Sequence, residues 1–250
     1  MEIQEKPDLK AKPNELIIEV KAAGINFADL LARKGQYADA PPKPCVMGYE
    51  VAGVVKEVGA EISESWIGKE VFAMCKFGGQ ATQVAVREAL VYEKPEKLSF
   101  VEAASVPVTY LTAWALLVAM GGLKSYESIL IQNVGGGVGL AQFEIAKHIG
   151  STTYGTASAG KHEFLKERGL DFAIDYRNKD WYTEILRLTD NKGVELITDP
   201  LGGKESKKAY QALRATGRLG MFGISSASKN TEGGLSAKWN VLKTVASMPF

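Results

Sequence analysis

Two patterns of apolar and polar positions divide this chain. Over about the first hundred residues the apolar positions fall in short runs rich in valine and isoleucine. These are LIIEV (Leu16–Val20), EVAGVVKEV (Glu50–Val58), EVFAM (Glu70–Met74) and ATQVAV (Ala81–Val86). Glycine or proline punctuates them at Gly24, Pro41-Pro42, Gly48, Gly59, Gly68 and Gly78-Gly79. Runs of this kind predict the strands of a small, irregular β-barrel. From about Ser105 the period changes. An apolar segment from Thr109 to Met120 has helical length and ends at Gly121-Gly122. Strand patterns follow at Ser128–Val134, Thr152–Thr156, Phe172–Asp175, Val194–Asp199 and Arg218–Gly223. Helical patterns alternate with them at Val138–Ile149, Lys161–Arg168, Asp180–Thr189 and Lys204–Ala215. Such alternation predicts βαβ units and a doubly wound parallel sheet with helices on both faces. Trp239–Ala246 is the next predicted helix before Phe250, so a six-stranded sheet is expected to lack its last strand. The expected fold class is α/β, with a β-rich domain over 1–104 and a nucleotide-binding domain over 105–250.

Composition narrows the partner. The 250 residues are 46% hydrophobic and 24% charged with a formal net charge of +1, so no long-range field draws in nucleic acid or an anionic membrane. A small molecule or another protein is the expected partner. The two cysteines, Cys45 and Cys75, form no CxxC pair, and the polar N-terminus lacks a secretory core, which together point to a reducing, cytoplasmic setting. The uncharged stretch Ala103–Leu123 approaches membrane-spanning length. It contains Pro107, Ser105, Thr109, Thr112 and the Gly121-Gly122 end, and therefore reads as a buried loop and helix rather than an integral membrane segment.

The chemistry concentrates in SILIQNVGGGVGLAQFEIAKHIG, Ser128 to Gly150. A strand runs into Gly135-Gly136-Gly137-Val138-Gly139, and a helix begins there with apolar Val138, Ala141, Ile145 and Ile149. Glycines at that junction allow a tight turn and let backbone N–H groups approach a pyrophosphate at the positive helix end. The strict GxGxxG spacing fails because Leu140 takes the third glycine position counted from Gly135. A looser frame fits, with Asn133 first, Gly136 second and Gly139 third. NAD-preferring domains place a carboxylate at the end of the second strand for the ribose 2′-hydroxyl. Here that strand ends GTASAGKH, Gly155 to His162, with Ser158 and Lys161 offering a hydroxyl and a cation suited to a 2′-phosphate. Tyr176 and Arg177, after the third strand, are placed to flank the same phosphate. NADPH is the expected cofactor.

These residues carry a resemblance. VKAAGINFADLLARKGQY (Val20–Tyr37) with GYEVAGVVKEVG (Gly48–Gly59), the Gly135–Gly139 loop, and GTASAGKHEFLKERG with DPLGG (Gly155–Gly169, Asp199–Gly203) resemble the medium-chain dehydrogenase/reductase superfamily, from about Pro13 to about Ser225. Within it the chain resembles the zinc-independent quinone-oxidoreductase branch, and there the vesicle amine transport group. The resemblance implies a GroES-like barrel over a Rossmann domain. It implies that Tyr37 and Asn26 face the nicotinamide, and that Gly136 to Val138, Gly155, Lys161 and Tyr176 hold the phosphates and adenosine end. Gly223 and Ser225 would border the nicotinamide side. It also implies a preceding strand and a following segment that complete the sheet, add cofactor contacts and supply the edge of a homodimer.

Zinc-dependent relatives need a thiolate and imidazole set around an open coordination position. Asn26 and Tyr49 occupy those places, the two histidines, His148 and His162, lie in the cofactor half, and neither cysteine has a partner at ligand spacing, so no metal is expected. Glu50 reads as structural. Without a Lewis acid the acceptor must already be electrophilic, which a quinone or an α,β-unsaturated carbonyl satisfies. Tyr37 or Asn26 would supply modest polarisation. Whether Tyr37 also hands on a proton or only packs against the ribose is left open by the sequence, as is whether Thr109 and Thr112 line the pocket or pack their helix. The alternative from a different class is a non-catalytic NADPH-binding adaptor on vesicle or organelle membranes, and no basic amphipathic helix or lipidation signal points to it directly.

Overall fold

Leu16, Ile17 and Ile18 are each at most 1% exposed, and they anchor the first strand, β1 (Glu15–Ala23). It pairs antiparallel with β2 (Glu50–Val58) and β4 (Gln83–Arg87). A short helix, α1 (Phe27–Arg33), follows β1, and β3 (Glu70–Met74) joins β2 to β5 (Val91–Glu93). The computed structural model describes residues 2–37, 39–223 and 225. It divides into two units, Met1–Val108 and Thr109–Phe250. In the first, the strands form one curled antiparallel sheet in the order β4-β1-β2-β3-β5. Valines, isoleucine and leucine from every strand close its core, among them Leu16, Ile18, Val51, Val71, Val84 and Val91.

Two helices follow β5: α2 (Phe100–Ala103) and α3 (Val106–Trp114). The helix expected to run on to Met120 instead widens after Trp114 into one π turn, Ala115–Ala119, where Met120 N–H donates to the Ala115 carbonyl at 2.9 Å. Widening keeps both Leu116 and Leu117 in the core, at 4% and 0% exposure.

The second unit then alternates strand and helix: β6 (Ser128–Ile131), α4 (Gly137–Ile149), β7 (Thr152–Ala157), α5 (His162–Glu167), β8 (Phe172–Asp175), α6 (Trp181–Leu188), β9 (Val194–Asp199), α7 (Lys204–Gln211) and β10 (Leu213–Met221). Every pairing is parallel, and the order is β10-β9-β6-β7-β8. Alternate residues of one strand enter opposite cores. Ile129 and Ile131 pack with Phe143 and Leu165 on one face, Leu130 with Trp181 and Ile185 on the other. Burial on both faces is what a doubly wound sheet requires. The chain leaves β6 toward β7 on one side and reaches β9 on the other. The carboxyl ends of β6 and β9 therefore form the switch point where such sheets bind ligands.

Of the boundaries that differ from the sequence expectation, among them β10, which begins at Leu213 rather than Arg218, two have clear local reasons. β6 stops at Ile131 because Asn133 takes φ 56° and the Asn133 and Val134 N–H groups turn to Thr156. α7 stops at Gln211 because β10 already begins at Leu213, with an irregularity before Arg218 and Thr216 at φ 67°. The fourth barrel strand starts at Gln83, two residues later than the apolar run. The helix expected at Trp239–Ala246 lies outside the described residues.

Candidate functional site

The glycine bend is built by close approach. After Gln132, the left-handed Asn133 turns the chain, and its carbonyl accepts the Gly136 N–H at 2.9 Å. Gly136 is the N-cap of α4 and no side chain caps the helix, so the first N–H groups of Gly137 and Val138 face outward from a positive helix end. A β-carbon on Gly139 would meet the Asn133 carbonyl oxygen at 2.3 Å and Val134 Cα at 2.7 Å. Both obstacles are backbone. Gly139 therefore does the work of the third fingerprint glycine, letting helix and strand touch.

Lys161 lies across this bend. Its Nζ donates to the Gly135 carbonyl at 2.6 Å, and its aliphatic stem fills the space beside Gly135. The end of β7 carries no carboxylate. The nearest one on the neighbouring strand, Asp175, accepts from the Arg177 N–H and the Asn178 amide, which hold its carboxyl below the usual range. Ser158 is half-buried one residue past β7. Gly155 is a packing residue: it is buried, and a β-carbon there would meet Val134 Cγ1 at 2.5 Å. Gly137 lies against the Thr109 methyl, and Thr112 is half-buried on the same helix.

Beside the bend a cleft of about 550 Å³ opens at the strand ends. Gln132, Asn133, Thr156, Tyr176, Leu201 and Ser225 are among its lining residues. Tyr176 is 49% exposed. Leu201 follows Asp199, a fully buried carboxylate whose oxygens accept the Leu201 N–H, the Gly202 N–H and the Ser206 hydroxyl, fixing the loop after β9. Gly223 and Ser225 lie against that loop: Ser225 N–H donates to the Pro200 carbonyl, and a β-carbon on Gly223 would meet the same oxygen at 2.6 Å. The structure thus gathers Gly135 to Val138 with Lys161 at the bend and Tyr176 with Ser225 along the cleft. Gly155 lies beneath them as packing. Asp199 and Gln132 were not singled out in the sequence; the only signal for Asp199 was the DPLGG run that contains it.

The first unit holds Asn26 and Tyr37. Asn26 is the N-cap of α1, and its side-chain amide donates to Glu50 Oε1 at 2.7 Å. Glu50, 2% exposed, also accepts the Val108 N–H at 2.8 Å, and burial raises its carboxyl above the ordinary range despite both bonds. Asp29 accepts the Asn26 and Gly48 backbone N–H groups and so ties α1 to the glycine before Tyr49. Tyr37 meets Tyr49 edge-on at 5.9 Å between ring centroids, and Tyr49 meets Phe77 at 4.6 Å. Burial, then the neighbouring Tyr37, holds the Tyr49 phenol above its usual range. Cys75 donates to the Gly48 carbonyl, its thiol pushed up to about 12 by burial.

Comparison with known proteins agrees with this architecture. Residues 12–96 match the alcohol dehydrogenase GroES-like domain, and residues 137–245 match the zinc-binding dehydrogenase domain. The synaptic vesicle membrane protein VAT-1 homolog of Danio rerio is 38% identical over 221 residues, which is 88% of this chain and 45% of that protein. The chain thus spans about half the length of that curated relative. A solved quinone oxidoreductase of Pseudomonas syringae pv. tomato DC3000 superposes with a TM-score of 0.84 at 29% identity, covering 97% of this chain and 74% of the other. The CurK enoyl reductase does so with 0.82 at 26%, covering 98% and 85%.

Two groups are implied by these relatives. A nicotinamide dinucleotide fits the residues present, since the glycine-capped helix end and Lys161 offer N–H groups and a cation to phosphates. For zinc, among the described residues no three His, Cys, Asp or Glu side chains converge, and both Glu50 carboxylate oxygens already accept from protein donors, the Asn26 amide and the Val108 N–H. With its curled antiparallel sheet, its doubly wound parallel sheet and both domain matches, the chain belongs to the medium-chain dehydrogenase/reductase superfamily.

Proposed function

We propose that this chain is a zinc-independent, NADPH-dependent oxidoreductase that delivers hydride to a quinone or an α,β-unsaturated carbonyl. The observation that carries the reading is the Lys161 ammonium held on the Gly135 carbonyl, beside a helix end capped only by glycine. A cation there, with no carboxylate at the end of β7, favours a ribose 2′-phosphate over a free 2′-hydroxyl. When bound, the nicotinamide would supply the hydride. The chain's own work is to hold the pyrophosphate on the Gly136–Val138 amides and to clamp the 2′-phosphate with Lys161, Ser158 and Tyr176. Gly223 and Ser225 would border the nicotinamide side. Tyr37 and Asn26 would donate to the acceptor's carbonyl oxygen as negative charge develops on it. A conjugated acceptor supplies its own electrophilicity and so needs no Lewis acid from the protein. The names of the solved relatives, a quinone oxidoreductase and an enoyl reductase, support that substrate class. Oxidation of NADPH in the presence of a panel of quinones and enones tests the proposal. Turnover with NADPH and much less with NADH is expected; no oxidation of either nucleotide refutes it.

A second reading rests on the vesicle-membrane names of the VAT-1 relatives: an NADPH-binding adaptor without turnover. Among the described residues no helix is long and apolar enough to cross a membrane. NADPH binding without oxidation, together with co-sedimentation on vesicles, would favour it.

A further inference from the structure

Gln132 is the first residue past β6, at the switch point of the sheet. It is 1% exposed, its backbone N–H donates to the Thr198 carbonyl of β9, and it lines the cleft of about 550 Å³. Both of its side-chain polar atoms, Oε1 and Nε2, are buried and have no hydrogen-bond partner within the protein, so a ligand meets them when the side chain turns toward the cleft it lines. A buried carboxamide left unmade at both ends is costly, and a bound group that completes it is one way a native protein accounts for that cost. The demand is specific. Satisfying Oε1 and Nε2 together takes a group with a donor beside an acceptor. A phosphate or carboxylate offers only acceptors, and an ammonium only donors.

We propose that Gln132 reads the adenine base of the bound dinucleotide, its Oε1 accepting from the exocyclic amino group and its Nε2 donating to an adjacent ring nitrogen. The inference rests on the nucleotide site described under Proposed function and adds base selectivity to it. Three features of the cleft agree. Tyr176 and Leu201 provide an aromatic and an aliphatic wall suited to a flat heterocycle. Asn133 and Thr156, also in the lining, connect Gln132 to the glycine bend: Asn133 N–H donates to Thr156 Oγ1 at 3.0 Å. The carboxamide–adenine pair is a bidentate match that a single glutamine can make.

The experiment compares NADPH with its hypoxanthine analogue, in which a carbonyl replaces the exocyclic amino group, by calorimetric titration of the full chain. The native protein is expected to bind NADPH at least about tenfold more tightly, the scale of one bidentate base contact. Gln132→Met, close in volume and without polar atoms, is expected to abolish that preference while still binding both nucleotides. It is also expected to raise the melting temperature of the nucleotide-free protein, because the unmade carboxamide is gone. Equal native affinity for the two nucleotides overturns the inference and leaves the NADPH reading standing, as does a preference unchanged in Gln132→Met. A melting temperature lowered by that substitution shows that the carboxamide is satisfied without ligand and also overturns it. Binding of neither nucleotide overturns both readings together.

Discussion

Replacing Lys161 with alanine is the sharpest perturbation of the proposed cofactor preference. The ammonium is exposed and bonded at 2.6 Å to the Gly135 carbonyl, so alanine removes a cation without opening a cavity in the core. A unit charge pair 4 Å apart is worth about 4 kcal/mol at an effective dielectric of 20 and about 1 in bulk water. Exposure puts Lys161 nearer the lower figure, and engaging a phosphate means sharing or giving up the Gly135 bond, itself worth about 1 kcal/mol. The net loss should be roughly 1–2 kcal/mol, or about 5- to 30-fold in the Kd for NADPH. NADH lacks the phosphate and should change by less than about twofold. Fluorescence quenching titrations of both nucleotides at two salt concentrations measure this, and the NADPH loss should shrink at higher salt. An equal loss for both nucleotides would show that Lys161 merely supports the bend, and no loss for either would remove it from the site.

Three further outcomes follow from the geometry. Gly139→Ala drives a methyl into the Asn133 carbonyl and Val134 Cα, so α4 must retreat from β6. Overpacking of that kind should outweigh the helix-propensity gain by about 1–2 kcal/mol, lowering Tm by several degrees and weakening dinucleotide binding; an unchanged melting curve refutes the close-approach argument. The Glu50 carboxyl is raised above its ordinary 4.5 by burial, so its contribution to stability is full below that value and is lost as pH rises through the folded-state value. Urea midpoints of the native protein and Glu50→Gln should diverge in the variant's favour between pH 4.5 and 8, and parallel pH curves would contradict this. Cys75, buried with its thiol pushed up to about 12, should resist a thiol reagent at pH 8 in the folded protein, whereas half-buried Cys45 reacts. Titration should count one thiol before unfolding and two after, and Cys45→Ser should abolish the first.

The second unit was the more legible in the sequence, because its central strands β6, β7 and β9 are buried on both faces and read as short apolar runs. Phe172–Asp175 and Val194–Asp199 fall where the pattern placed them. In the first unit α1 went unseen, since FADLLAR is only seven residues and is held by Asp29, a buried carboxylate that accepts backbone N–H groups three residues back and nineteen residues ahead. The π turn at Ala115–Ala119 was invisible because periodicity in a uniformly apolar segment does not distinguish one helical winding from another. The glycine bend was legible as chemistry. Its division of labour was not: only the built backbone separates Gly139 and Gly155, which pack, from Gly136 and Gly137, which open the helix end. Gln132 carried no signal at all, since its interest lies in what its amide does not touch.

The central claim is that the amides at the start of α4 grip a pyrophosphate while Lys161 and Tyr176 hold the adenosine-side phosphate. Backbone amide chemical shifts during an NADPH titration test it most directly. The Gly136, Gly137 and Val138 amides should move together with those of Lys161 and Tyr176, and the Lys161 amide should move far less when NADH is used instead. If NADPH leaves the Gly136–Val138 amides unmoved while shifting resonances elsewhere, the account is wrong.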